Sequence, residues 1–136
     1  MAERRRITST YAVGVEGFTH ALRVPAGGDL LFVSGVTARR SDGEIVGVDD
    51  IETQARQVYD NLGAILEEAV VGFSDIVRMV TYLIDMRHLP QVHSVRRDYF
   101  AEFLPASTTV QVVALAHYQL LIEVEVTAVV EAVDGR

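Results

Sequence analysis

The run Leu120 to Val130 (LLIEVEVTAVV) limits the possible folds more than any other stretch, because two glutamates alternate with branched apolar residues inside it. Strand side chains point to opposite faces in turn. Leu120, Ile122, Val124, Val126, Ala128 and Val130 therefore make one wholly apolar face, while Leu121, Glu123, Glu125, Thr127 and Val129 share the other. One face reads as core and the other as mixed. An ionised carboxylate is too costly to keep in a dry interior, so Glu123 and Glu125 each need water, a partner charge, hydrogen-bond donors or a ligand.

A chain of 136 residues fits one domain, and at this size folding buries roughly two thirds of the unfolded surface. A single domain over 1–136 is expected, with 1–10 flexible. The chain has no cysteine, which removes disulfides, thiolate nucleophiles and cysteine metal sites and is compatible with a cytoplasmic location. Three arginines at Arg4 to Arg6 precede polar residues rather than an apolar segment, unlike a secretory signal. With no long charge-free apolar run, a membrane-spanning helix is not expected. The net charge of −7 repels phosphate backbones, so nucleic acid is disfavoured as a partner.

Local signals give the element order. An extended segment near Phe18 to Val24, a turn at Pro25 to Asp29 and a strand at Leu30 to Val36 have the pattern of a hairpin. Polar Arg39 to Glu44, turning at Asp42-Gly43, leads through Ile45 to Val48 to a helix announced by Asp49 and Asp50. Ile51, Ala55, Val58, Leu62, Ile65, Leu66 and Ala69 form its apolar stripe, and Gly72 is expected to cap its end. Ile76 to Ile84 reads as a strand. Pro90 opens a second helix with Val92, Val95, Tyr99 and Phe103 inward and Arg96, Arg97, Asp98 and Glu102 mostly outward. Leu104-Pro105 stops it, and two strands finish the chain. No linker, repeat or low-complexity segment interrupts this order.

The result is β-β-α-β-α-β-β, an α+β arrangement in which two helices cover one face of one sheet. The uncovered face is too apolar to stand in water alone, since both parities of its strands carry apolar residues. Burying that face against other copies of the chain is the economical solution. Glu123 and Glu125 then point toward a subunit interface, a common home for small-molecule pockets.

Several runs, taken in order, resemble the RidA/YjgF family from about Thr19 to Val130. They are Phe18 to Ala21, Asp29 to Gly35 (DLLFVSG), Ile45 to Gly47, Gln54 to Leu62 (QARQVYDNL), Asp75 to Leu83 (DIVRMVTYL) and Ile122 to Glu125 (IEVE). The resemblance implies a chorismate-mutase-like α+β domain, a homotrimer whose sheets form a central barrel, and ligand pockets between subunits. It also implies hydrolysis of imines and enamines derived from amino acids, with no cofactor. In that pattern an arginine holds the substrate carboxylate and a glutamate, matched by Glu123, orients the attacking water. The arginine position is occupied by Ser107, whose neutral hydroxyl cannot make the bidentate charge-assisted pair of a guanidinium. Hydrolysis of 2-iminopropanoate-type substrates is therefore expected to be weak or absent. Two further pocket positions differ, with Phe18 in place of tyrosine and His93 in place of asparagine.

The 2-aminomuconate deaminase branch is also similar, at Phe32 to Gly35, Arg39-Arg40, Gly47, Thr108 to Val110 and His117 to Glu123. A dicarboxylate would welcome two cations, and Arg39 or Arg40 is a candidate replacement for the missing arginine. Solvated loop arginines are the alternative. The candidate site is completed by backbone and side-chain groups of Ser34, Gly35, Ser107 and Thr109, with His93 either a pocket contact or a surface histidine. The histidines lack metal-ligand spacing, Ser34-Gly35 lacks the nucleophile-elbow pattern, and Gly27-Gly28 lacks the lysine of a phosphate loop. Three functions remain open at this stage: an imine or enamine hydrolase acting on a small carboxylate, a ligand-binding or regulatory trimer, and an endoribonuclease or translation inhibitor.

Overall fold

Helix formation between the two halves of the sheet begins with an aspartate. The computed structural model describes residues 5–7, 21–25, 27–102 and 104–130, and in it the longer helix, α1 (Ile51–Glu68), is capped by Asp50. The Asp50 carboxylate accepts from the Thr53 backbone N–H at 3.2 Å and from its hydroxyl at 2.8 Å. These bonds satisfy a first-turn donor and hold the Asp50 carboxyl below the usual carboxylate range. The apolar stripe then buries Ile51, Ala55, Val58, Tyr59, Leu62 and Leu66. Ile65 is 41% exposed, so the stripe is narrower than the spacing predicts. The end of α1 also differs from expectation. Ala69 is its C-cap and Val70 takes the left-handed conformation at φ 59°, whereas Gly72 is extended and opens a short 3-10 turn.

Six strands and two α-helices are described: β1 (Arg5–Ile7), β2 (Ala21–Arg23), β3 (Asp29–Val36), α1, β4 (Ile76–Leu83), α2 (Leu89–Arg97), β5 (Ala106–Gln111) and β6 (Ile122–Val130). The main sheet has the order β3-β6-β4-β5, antiparallel except for the β4–β5 pair. The expected hairpin is corrected here: among the described residues β2 pairs with β1, and β3 pairs with the distant β6. The fold class stands as α+β, one sheet with two helices on one side.

The core lies between helices and sheet. Ile122, Val124, Val126 and Ala128 of β6 meet Met79 and Leu83 of β4 and the α1 stripe, all buried. Fully burying each such side chain contributes about 1.5–3 kcal/mol. Helix α2 ends at Arg97, earlier than the proline stop at Pro105, and is joined to α1 by the Arg56–Asp98 pair at 3.0 Å. Tyr59, Phe73 and Phe100 pack edge to face beneath them, with ring centroids 5.2 Å apart for Phe73 and Phe100. Arg96 is the exception to the expected outward face of α2. Its side chain is buried, because position 96 lies four residues after Val92 and so falls inside the buried stripe.

The uncovered face carries Leu30 and Phe32 of β3 and Val110 of β5, exposed to 59%, 73% and 39%. No helix among the described residues is long and apolar enough to cross a membrane.

Candidate functional site

Gln54 fixes where β6 begins. Its amide, wholly buried on α1, donates to the Gln119 carbonyl at 2.7 Å and accepts from the Leu121 N–H at 2.8 Å. Those bonds satisfy the backbone just before the strand and set the register in which Glu123 stands opposite Tyr82 of β4 and Glu125 opposite Val80. Gly47 makes room for this junction, with φ at +80° and the Gln54 nitrogen only 2.7 Å from where a Cβ would stand.

The two glutamates on the open face are held differently. The Tyr82 hydroxyl, reaching diagonally across the strand pair, donates a hydrogen bond to the Glu125 carboxylate. That bond pushes the phenol's pKa up, because it is lost on ionisation. The Glu123 carboxylate accepts no hydrogen bond from the described residues. It lies instead against Gly35, where a Cβ would come within 2.7 Å of its carboxyl carbon. The place for that carboxylate is made by a bulge, since Val33 pairs with Val126 and Val36 with Val124, leaving Ser34 and Gly35 opposite Glu125 alone. Bulges of this kind re-aim side chains beside sites. Gly35 and Glu123, both named from the sequence, are thus brought together, with Ser34 adjacent and exposed.

Ser107 and Thr109 lie elsewhere. They pair in register with Met79 and Thr81 of β4, which face the helices. Within one chain Ser107 and Glu123 therefore sit on opposite faces of the sheet. Ser107 accepts a hydrogen bond from buried Arg96 at 3.3 Å. His93, on α2, is half-buried on the same side of the molecule as that pair. Arg39 donates to the Gly43 carbonyl at 2.9 Å, tying together its own turn, and Arg40 is exposed next to it. Phe18 lies outside the described residues.

Sequence reasoning missed Tyr82 and Arg96. The first depended on strand register, which no local signal carries. The second was visible in the helical spacing but was outweighed by the expectation that arginines face water. Among the described residues no three His, Asp or Glu side chains converge as metal ligands would.

Comparison with known proteins agrees with this fold. The family model described as Endoribonuclease L-PSP matches residues 11–130. A RutC family protein of Pyrococcus horikoshii is 38% identical over 74% of this chain and 79% of its own length. The mouse protein named 2-iminobutanoate/2-iminopropanoate deaminase is 32% identical over 93% of this chain and 91% of its own. The crystal structure of YyfB from Yersinia pestis, described as a protein of unknown function of the conserved Rid family, superposes with a TM-score of 0.85 at 32% identity, covering 93% of this chain and 98% of that one. With nearly its whole length matched in sequence and in fold, the chain belongs to the Endoribonuclease L-PSP family, the YjgF/RidA group.

Proposed function

We propose that this chain hydrolyses the imine or enamine of a small carboxylated metabolite, as a homotrimer with its pockets between subunits and Glu123 aiming the attacking water. The observation that carries this reading is the contrast between the glutamates. Glu125 is occupied by Tyr82, whereas Glu123 is held in a glycine-made recess with its carboxylate uncommitted among the described residues. The mouse relative's name supports the reaction class. The exposed Leu30, Phe32 and Val110 support assembly, because an apolar patch of this kind is usually covered.

The chemistry needs little more. Water adds to the imine carbon, the C=N pair moves to nitrogen, and the nitrogen takes a proton to give a carbinolamine. The carbinolamine nitrogen then takes a further proton and leaves as ammonia, the hydroxyl gives up its proton in exchange, and the 2-oxo acid remains. An enamine first takes a proton on carbon to reach the same imine. Glu123 accepts a hydrogen bond from the water and draws off its proton as the C–O bond forms.

A ligand-binding or regulatory trimer is the second reading, favoured by the neutral Ser107. The ribonuclease reading fits less well, since the open face pairs two carboxylates with the whole chain's net charge of −7. The test is release of the 2-oxo acid and ammonia from freshly generated 2-imino acids, 2-iminopropanoate and a dicarboxylate counterpart, with light scattering alongside. Acceleration over the uncatalysed reaction by a particle three times the chain mass supports the hydrolase. Pyruvate binding with no acceleration favours the binding reading, and a stable monomer at micromolar concentration contradicts the assembly.

A further inference from the structure

Arg96 is a buried cation with no described anion to neutralise it. Its residue is 2% exposed, one nitrogen donates to the Ser107 hydroxyl oxygen at 3.3 Å, and the other, Nη2, is buried with no partner among the described residues. A guanidinium removed from water is costly unless an anion and hydrogen-bond acceptors replace its hydration. Burial pulls its pKa down, which is the same cost in another form. The nearby acids are engaged elsewhere: Asp98 binds Arg56 at 3.0 Å, and Asp60 accepts from Tyr99 at 2.7 Å. Tyr59, which interacts with Arg96, has its pKa pushed up to about 12, chiefly by burial, so it is a neutral phenol at pH 7. Arg97 adds repulsion.

The serine bound to this cation stands on β5, the edge strand of the sheet, and is only half-buried. A hydroxyl whose oxygen accepts from a guanidinium turns its hydrogen away from the donor. Ser107 therefore presents an O–H outward with a positive charge behind it. We propose that Arg96 and Ser107 form a receiving site for a small carboxylate, in which Ser107 touches the anion and Arg96 acts as a positioning residue. This rests on the hydrolase reading in that the anion is the substrate's carboxylate. The charge missing at position 107 is then supplied from α2, behind the serine, and not from the loop arginines Arg39 and Arg40.

Calorimetric titration of the full chain with pyruvate, and with pyruvamide as its neutral counterpart, tests the site. Wild type should bind pyruvate and discriminate against pyruvamide. Arg96→Met, of similar length and suited to a buried position, should lose that discrimination and weaken pyruvate binding by about tenfold or more, and Arg96→Lys should restore part of it. Ser107→Ala, which removes one hydroxyl and no core packing, should weaken pyruvate binding in the same direction and decides the matter if Arg96→Met does not fold. Equal affinity for the charged and neutral ligands in wild type, or unchanged pyruvate binding in Ser107→Ala or in folded Arg96→Met, overturns the proposal. The two readings fail separately. Imine hydrolysis with pyruvate binding insensitive to Arg96 and Ser107 keeps the hydrolase and removes this site. Charge-selective, Arg96-dependent binding without hydrolysis keeps the site and removes the hydrolase.

Discussion

The two faces of one strand, β6, have opposite jobs. Toward the helices it shows Ile122, Val124, Val126 and Ala128, all buried and each replaceable only at a cost in packing. Toward the open side it shows Glu123, Glu125 and Thr127, half-buried and polar, at a spacing of two residues. Strand alternation thus separates the residues that hold the fold from those available for chemistry, even though they are neighbours in sequence. Helix packing makes the inner face rigid, and the outer face inherits that rigidity: Gln54 on α1 sets the start of the strand whose far side carries Glu123.

Substitutions that act on one face and spare the other break or sharpen this division. The largest effect on the fold should come from Leu62→Ala, which empties a fully buried position beneath the sheet. Chemical denaturation should show a loss of about 2–5 kcal/mol. Any change in ligand binding per folded molecule should be minor, because the cavity opens on the helix side.

Next in size is a pH effect, carried on the helix side by Tyr59. Tyr59 has a folded-state pKa raised to about 12, chiefly by burial, against about 10 when unfolded. The unfolded state therefore gives up this proton first. Stability is intact below pH 10 and should fall between pH 10 and about 12, by up to about 1.4 kcal/mol per pH unit. Tyr59→Phe should make that part of the profile shallower, the remainder coming from Tyr99, which is also raised to about 12, and because the Tyr59 hydroxyl has no partner among the described residues the variant should not be destabilised at pH 7. A steep alkaline loss in Tyr59→Phe equal to wild type would assign it to other groups.

The smallest effect on the fold should come from Gly35→Ala on the open side. The added Cβ collides with the flexible end of Glu123, which moves aside, so stability should stay within about 1 kcal/mol of wild type. Turnover should nonetheless fall by about tenfold, since displacement by about an ångström is enough to spoil an attack geometry. A large loss of melting temperature with unchanged turnover per folded molecule would show that the recess serves packing.

Much of the helix side was legible in the sequence because its signals are local. Asp50 and the stripe from Ile51 to Leu66 mark α1, and simple alternation marks β6. The pairing of β3 was not legible: a turn-like Pro25 to Asp29 between two extended segments argues for a hairpin, but β3 gains more by pairing with β6 and burying Leu31 and Val33 against the core. Val70, a β-branched residue, takes the left-handed conformation at the helix end in place of Gly72, against its conformational preference, so no local signal marks it. On the open side, alternation alone singled out Glu123 and Glu125 as a pair. Choosing Glu123 required the family resemblance, and the physical difference between them, Tyr82 on one and Gly35 beside the other, lies in strand register and a bulge that no local pattern specifies.

Glu123→Gln tests the central claim most directly. It keeps shape and most hydrogen bonding, and it removes the charge that aims and deprotonates water. Steady-state hydrolysis of 2-iminopropanoate should fall at least about tenfold, or about 1.4 kcal/mol of transition-state stabilisation. Glu125→Gln should change it much less, and light scattering should return the same particle mass for both variants and wild type. Equal turnover in wild type and Glu123→Gln, or a Glu123→Gln protein whose only defect is a lost assembly, would contradict the account and make the glutamate structural.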